Sequence, residues 1–295
     1  MEGQESGMHH PNLPPPYPPP PERSAEVRRR FAEEARSERP DLSALCLLIG
    51  AHADGSLDEP GIDAAQLELD RLAGELPYRP GGPHAWAEAV RRLLGTHHGF
   101  HGTAADYQRL ESSLLHEVLR RRRGLPILLS VVWIEVARRA GAPVYGVALP
   151  GHFVVGFGAA EEQVLANPFD GGRVLTGADT ELLVAGATGA PLDPSMLEPA
   201  VVMDVVQRVL NNIRAWAGAR PERSDVALRA VELALLVPSH PARLRYERAQ
   251  LLLRCGEFLQ GAEEMDAYAD LIEVVDEAAA RKVRQQAHTA RAMLN

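Results

Sequence analysis

His152 has the setting that best suits chemistry, in the run Pro150-Gly151-His152-Phe153 at the start of an apolar stretch. An imidazole there can hold or move a proton near neutral pH, although a hydrogen-bonded structural histidine fits the same position. As a base it needs a nucleophile, and the chain offers few. Cys46 lies among apolar residues, where a thiol is usually inert packing, and Cys255 lies far away in the C-terminal part. Ser130 falls one turn inside an apolar segment and is expected to bond the carbonyl four residues back. Ser112 and Ser113 suit a cap or a loop-fixing role better than chemistry. His97, His98 and His101 form an HHxxH cluster with no Cys or acidic ligand beside it in sequence, so exposed loop histidines are expected and no metal site. The arginines at 120–123 could meet a phosphate, yet Glu111 and Glu117 stand close enough to pair with them. Gly171-Gly172 lacks the GxxxxGK pattern and helix start of a phosphate loop. No cofactor signature is left.

Composition sets outer limits on what these residues can serve. The 295 residues include 45% hydrophobic and 24% charged side chains, ordinary for a globular protein able to bury a sizeable core. The net charge of −9 gives no chain-wide basic field, so nucleic acid and anionic membrane are not the expected partners. Two cysteines far apart in sequence exclude a disulfide framework and a CxxC site, and fit a reducing cytoplasm. No stretch approaches the ~18 consecutive apolar residues of a membrane span.

The elements that must position His152 follow from local pattern. Residues 1–23 begin with proline runs that favour polyproline II and predict a disordered leader. Helices are predicted over 28–38, 42–53, 61–76, 86–94 and 110–122, with a Gly/His-rich loop at 95–107. Pro126 suits the first position of the next helix, which is apolar almost all round from Ile127 to Ile134 and therefore buried on most sides. Gly141 fits its C-terminal cap and Pro143 prevents continuation. Short strands are predicted over 144–148, 153–157 and 163–166, followed by a turn at Pro168 and Gly171-Gly172. From about Pro194 the chain reads as helices over 203–216, 226–236, 242–255 and 259–274. Ala227 and Ala262 are 35 residues apart (262 − 227), close to the ~34-residue tetratricopeptide period, and Pro238 and Gly256 sit where that repeat turns.

The order of the 124–172 segment resembles a transglutaminase-like or papain-like site. There a nucleophile sits at the N-terminus of a buried helix, a histidine follows on the next-but-one element, and an Asp or Asn orients it from a further strand. The helix terminus lowers the thiol pKa, the imidazole moves the proton and the third residue fixes its tautomer. Gly99-Phe100-His101-Gly102, Tyr107, Ser112 and residues 115–119 resemble the lead-in of the bacterial SirB family, loosely described as invasion regulators. Arg123-Gly124-Leu125-Pro126, the run Ala137-Arg138-Arg139-Ala140-Gly141, Pro150-Gly151-His152-Phe153 and the run Asn167-Pro168-Phe169-Asp170-Gly171-Gly172 resemble its central motifs. The resemblance covers roughly residues 42–290. It implies a transglutaminase-like core followed by a tetratricopeptide-like tail. Position by position, Pro126 stands where catalytic relatives carry the thiol, and the SirB family commonly carries Pro there. His152 matches the catalytic histidine. Asn167 takes the usual place of an Asp, where it can orient an imidazole but not stabilise an imidazolium by charge.

The expectation is an α+β protein: leader 1–23, a transglutaminase-like (papain-like) core with a helical N-terminal layer over 24–178, and an all-α tetratricopeptide-like region over 196–295. The leading functional expectation is a non-catalytic binding or regulatory protein in the cytoplasm. Its cleft would be lined by Tyr107, Ser112, Pro126, His152 and Asn167, with His152 and Asn167 as catalytic remnants. No cofactor or metal is expected, and the partner would be a protein held by the C-terminal helices. Two alternatives stay open: a hydrolase or acyl transferase using His152 with a non-standard nucleophile, and a scaffold in which the tail alone works.

Overall fold

The computed structural model describes residues 17–78, 81–159 and 162–293. Residues 1–16 of the expected leader lie outside the described residues. The rest of it is ordered: the Tyr17 carbonyl accepts the Gly55 N–H at 2.5 Å, Pro19 is buried, and Pro21 starts α1 (Pro21–Ala35). A proline at a helix start loses no hydrogen bond, which is why the proline run ends in a helix. The charged sequence of α1 hides a stripe of Val27, Phe31 and Ala35, four residues apart, buried against α2 (Leu42–Ala53). Asp41 caps α2 by accepting the Ala44 N–H at 2.8 Å. Asp58 does the same for α3 (Glu59–Gly74) through the Gly61 N–H at 2.9 Å. The short α4 (Pro83–Val90) runs into a π-helical turn over Arg91–His97. Two 3-10 turns, Ala104–Gln108 and Leu110–Ser113, lead to α5 (Leu115–Arg121).

The central element is α6 (Pro126–Arg139), in which every residue from Ile127 to Ala137 is buried. Gly141 ends it at φ 87°, a left-handed conformation that glycine adopts freely. Four antiparallel strands follow in sequential order, β1 (Val144–Val147), β2 (Val154–Phe157), β3 (Val164–Asn167) and β4 (Arg173–Leu175). Val155 faces Ala166 across β2 and β3, and Ala166 faces Val174 across β3 and β4. Alternation sends Phe153, Val155 and Phe157 into the main core with α6, and Val154, with Val147 and Leu165, into a second cluster. That second face is closed by α7 (Gly177–Thr188), whose Val184 joins the cluster. Thr176 and Asp179 start α7 with a reciprocal capping box.

Five further α-helices follow among the described residues: α8 (Val202–Gly218), α9 (Ser224–Ala234), α10 (Arg243–Arg254), α11 (Phe258–Ile272) and α12 (Glu277–Ala292). The first two belong to the main core: Val205, Val206, Val209, Leu210 and Ile213 of α8 pack with α2 and α6. The last three close on small residues, among them Ala249, Ala262, Ala269, Ala280 and Ala287, which let the helices approach closely. Ala227 and Ala262, the pair spaced as a repeat, are both buried. No described helix is long and apolar enough to cross a membrane.

Candidate functional site at the start of the central helix

Three segments and one distant helix meet around His152, enclosing a cleft of about 330 Å³. Pro126 and Ile127 bring the N-terminus of α6 to it. Gly151, His152 and Phe153 come from the turn before β2, Tyr107 from the 104–108 turn, and Arg208, Asn211 and Asn212 from α8. Tyr107, Pro126 and His152, three of the five residues expected to line a cleft, are thus brought together.

The His152 backbone is held tightly while its ring is left unengaged. Gly151 turns the chain at φ 69°, and the His152 N–H donates to the Leu149 carbonyl at 3.1 Å. Arg208 then donates from Nη1 to the His152 carbonyl at 3.0 Å and from Nη2 to the Leu149 carbonyl at 3.2 Å. Its guanidinium also sits 5.7 Å from the centre of the Phe153 ring. Burial pulls the Arg208 pKa down from its ordinary value, with Asp204 acting the other way; an arginine remains cationic regardless. Ser130 donates to the Phe153 carbonyl at 3.2 Å rather than to its own helix, so α6 itself pins the start of β2. Among the described residues the His152 ring makes no hydrogen bond.

Tyr107 is positioned by a buried carboxylate next to it. Asp106, 2% exposed, accepts from the Thr103 N–H at 2.8 Å and from Arg123 Nη2 at 2.8 Å. Burial pushes the Asp106 carboxyl up, but hydrogen bonds from Arg123 and Thr103 outweigh it and hold the group below the usual carboxylate range. On the other side of the turn, the Gln108 carbonyl accepts from Trp216 Nε1 at 3.0 Å and from Arg220 at 3.3 Å. The Tyr107 ring meets Phe169 edge-on at 6.1 Å, and burial raises its phenol pKa. Phe169 in turn lies over Gly102, where a Cβ would come within 2.0 Å of the ring.

Ser112 and Asn167 are placed elsewhere than on the cleft wall. Ser112 is fully buried and donates to Asp106 at 3.3 Å, so it supports the turn that carries Tyr107. The Asn167 side-chain oxygen accepts the Phe169 N–H at 3.2 Å and caps the turn after β3, an Asx arrangement common for Asn. It makes no hydrogen bond to His152. The arginines at 120–123 are all committed: Arg120 pairs with Glu117, Arg122 with Glu68, and both Arg121 and Arg123 with Asp106. Cys46 is sealed in α2, where burial, then Glu135 and Asp41, push its thiol pKa up. Cys255 is exposed at the end of α10.

Arg208, Asn211 and Asn212 were not singled out from sequence. Their i, i+3, i+4 spacing puts them on one face of α8, a polar patch in a helix otherwise rich in Val, Leu and Ile. The pattern is visible in the sequence, but the segment it faces is not.

A transglutaminase-like superfamily model matches residues 63–211, from α3 into α8. The chain belongs to the transglutaminase-like superfamily. A tetratricopeptide repeat model matches residues 213–295, so the two meet inside α8. UPF0162 proteins of two Xylella fastidiosa strains are 34% identical over 189 residues, 62% of this chain and 66% of theirs. A UPF0162 protein of Vibrio cholerae is 28% identical over 214 residues, 70% of this chain and 78% of its own. Mouse F-box only protein 21 is 28% identical over 174 residues, 56% of this chain and 26% of that protein. The transglutaminase-like fold followed by a tetratricopeptide-like helical region agrees with the order expected from sequence.

Proposed function

We propose that this protein is a non-catalytic or much-altered transglutaminase-like protein of the SirB type, acting in the cytoplasm as a binding or regulatory module. The His152 cleft takes a ligand and the C-terminal helices present a surface to a protein partner. The carrying observation is the make-up of the cleft wall. Pro126 stands at the helix start, and the described wall residues include neither a thiol nor a serine or threonine hydroxyl. The ring of His152, the Tyr107 hydroxyl and the Asn212 amide all border the cleft without a hydrogen bond among the described residues, leaving donors and acceptors for a ligand. Tetratricopeptide repeats generally mediate protein–protein contact, and their presence supports the partner role of the tail. The mouse F-box relative carries the matched region in 26% of its length, which supports its use as a module within a larger protein.

The hydrolase or acyl-transferase reading draws on the same unengaged ring, which is open to a water molecule or a substrate hydroxyl. Amide, ester and acyl-transfer substrates offered to the full chain and to His152→Ala separate the two. The binding reading expects equal background turnover in both. Turnover that disappears in His152→Ala would overturn it.

A further inference from the structure

We propose that Glu75, His97 and His98 form a site for a divalent transition metal, zinc being the ion whose chemistry fits best. In sequence the HHxxH cluster has no acidic neighbour; the fold supplies one. Glu75 is the residue that ends α3, and His98 ends the π-helical turn begun at Arg91. One ligand atom from each of Glu75, His97 and His98 lies within 4.8 Å of the others. His98 Nε2 and Glu75 Oε2 are 2.7 Å apart, and the His97 ring stands edge-on to that of His98 with centres 4.8 Å apart.

Several features favour a cation at this spot. Both segments present their C-terminal ends, whose unpaired carbonyls carry partial negative charge. π-Helical turns are rare and are frequently found at functional sites. Arg71 binds the other carboxylate oxygen, Oε1, which fixes the Glu75 group and leaves Oε2 directed at His98. Two imidazoles and a carboxylate are a normal zinc set, with a solvent molecule as the fourth ligand. Ligand atoms around a tetrahedral zinc stand about 3.4 Å apart, given bonds of ~2.0–2.1 Å. Glu75 and His98 are already that close, and the exposed His97 side chain closes the rest by rotation. His101 plays no part: its Nδ1 bonds the Gly99 carbonyl at 2.8 Å, and its backbone bridges to Arg123. Glu75 also lines a groove of about 810 Å³ with His84 and Glu88, and His97 is exposed to solvent.

The test is calorimetric titration of Zn²⁺ into the full chain, paired with the visible spectrum of Co²⁺ as a substitute ion. The expected result is saturable binding and a Co²⁺ spectrum of tetrahedral intensity. His97→Ala and His98→Gln should each weaken binding by more than the ~10–100-fold that loss of an outer partner costs a metal site. His98→Gln keeps a hydrogen bond to Glu75, and circular dichroism of both variants checks that the fold is intact. His101→Ala should bind as the parent does, and binding by His9-His10 would instead persist in His97→Ala and His98→Gln. No saturable binding, retained affinity in His98→Gln, or an equal loss in His101→Ala would overturn the proposal.

Discussion

Replacing Arg208 with alanine is the sharpest probe of how the cleft is held. Its guanidinium makes two charge-assisted hydrogen bonds, to the Leu149 and His152 carbonyls, across 59 and 56 residues of chain. Each such bond is worth about 1.5–3 kcal/mol when buried, but three corrections apply. The side chain is only partly buried. Leu149 keeps the His152 N–H as a second partner. Removing the guanidinium also releases its own desolvation penalty. A net loss of about 2 kcal/mol remains, which for a chain of this size lowers Tm by about 3 °C. Lysine cannot span both carbonyls with one planar fork, so Arg208→Lys should recover less than half of that loss. The second assay is local: the ring proton resonances of His152 should move and broaden in Arg208→Ala as the Leu149–His152 turn loosens. A Tm within about 1 °C of the parent together with unchanged His152 resonances would refute the reasoning, because Arg208 would then decorate the cleft instead of holding it.

Other perturbations test the neighbouring links. Asp106 has a carboxyl pKa below its ordinary value in the fold, so between the folded and unfolded values the unfolded chain binds more protons. Its contribution is complete above about pH 4–5 and is lost as pH falls through the folded value. Asp106→Asn should therefore be destabilised by about 1–3 kcal/mol at pH 7, with the gap to the parent narrowing in acid denaturation series below about pH 4; a pH-independent gap would count against the ion pair. In the native protein, alkylation followed by mass spectrometry should label Cys255 and leave Cys46 unmodified until the chain unfolds. Pro126→Cys would put a thiol at the α6 N-terminus in the His152 cleft, and its pKa should fall below the ~8.5 of a free thiol. Iodoacetamide rates against pH read that value, and a normal thiol pKa would show that the cleft does not retain the electrostatics of a thiol site.

The elements built from strong local patterns were legible in the sequence. α2 spans Leu42–Ala53 as its apolar run predicts, and α6 starts at Pro126 and stops before Gly141 for the reasons the residues themselves supply. Three β-strands were readable, whereas β4 is only Arg173–Leu175, too short for alternation to show. α7 was not anticipated, and α12 fell within the all-α reading of 196–295 without bounds of its own. The first has no clear apolar stripe, and the second buries chiefly alanines, which read as neither core nor surface. At the site, His152, Pro126 and Tyr107 announced themselves through motif and type. Asn167 was assigned to the cleft although a residue before proline with its own backbone amide two positions on readily forms an Asx cap. Ser130 bonds Phe153 because the fold brings the start of β2 over α6, a partner 23 residues away that periodicity does not reveal. Glu75 escaped for the same reason.

The place of α8 changes what a truncation can teach. Sequence alone puts a division before residue 196, and cutting there looks like a clean way to separate cleft from tail. In the structure α8 buries Val205, Val206, Val209, Leu210 and Ile213 in the core shared with α2 and α6, and presents Arg208, Asn211 and Asn212 to the cleft. Full burial of five such side chains, at about 1.5–3 kcal/mol each, amounts to roughly 8–15 kcal/mol, as large as the whole stability of a typical domain at about 5–15 kcal/mol. A chain ending before residue 196 should therefore fail to fold cooperatively, and loss of binding in it would say nothing about which surface binds. A chain ending after α9 keeps α8 and gives up Leu244 and Leu251 of α10 from the main core, while Ala249 of α10 and the buried residues of α11 and α12 close on a separate small-residue cluster. That cut should leave a cooperative thermal transition and unshifted His152 ring resonances. Loss of the transition in the longer fragment, or its survival in the shorter one, would show that α8 is not the element joining the two parts.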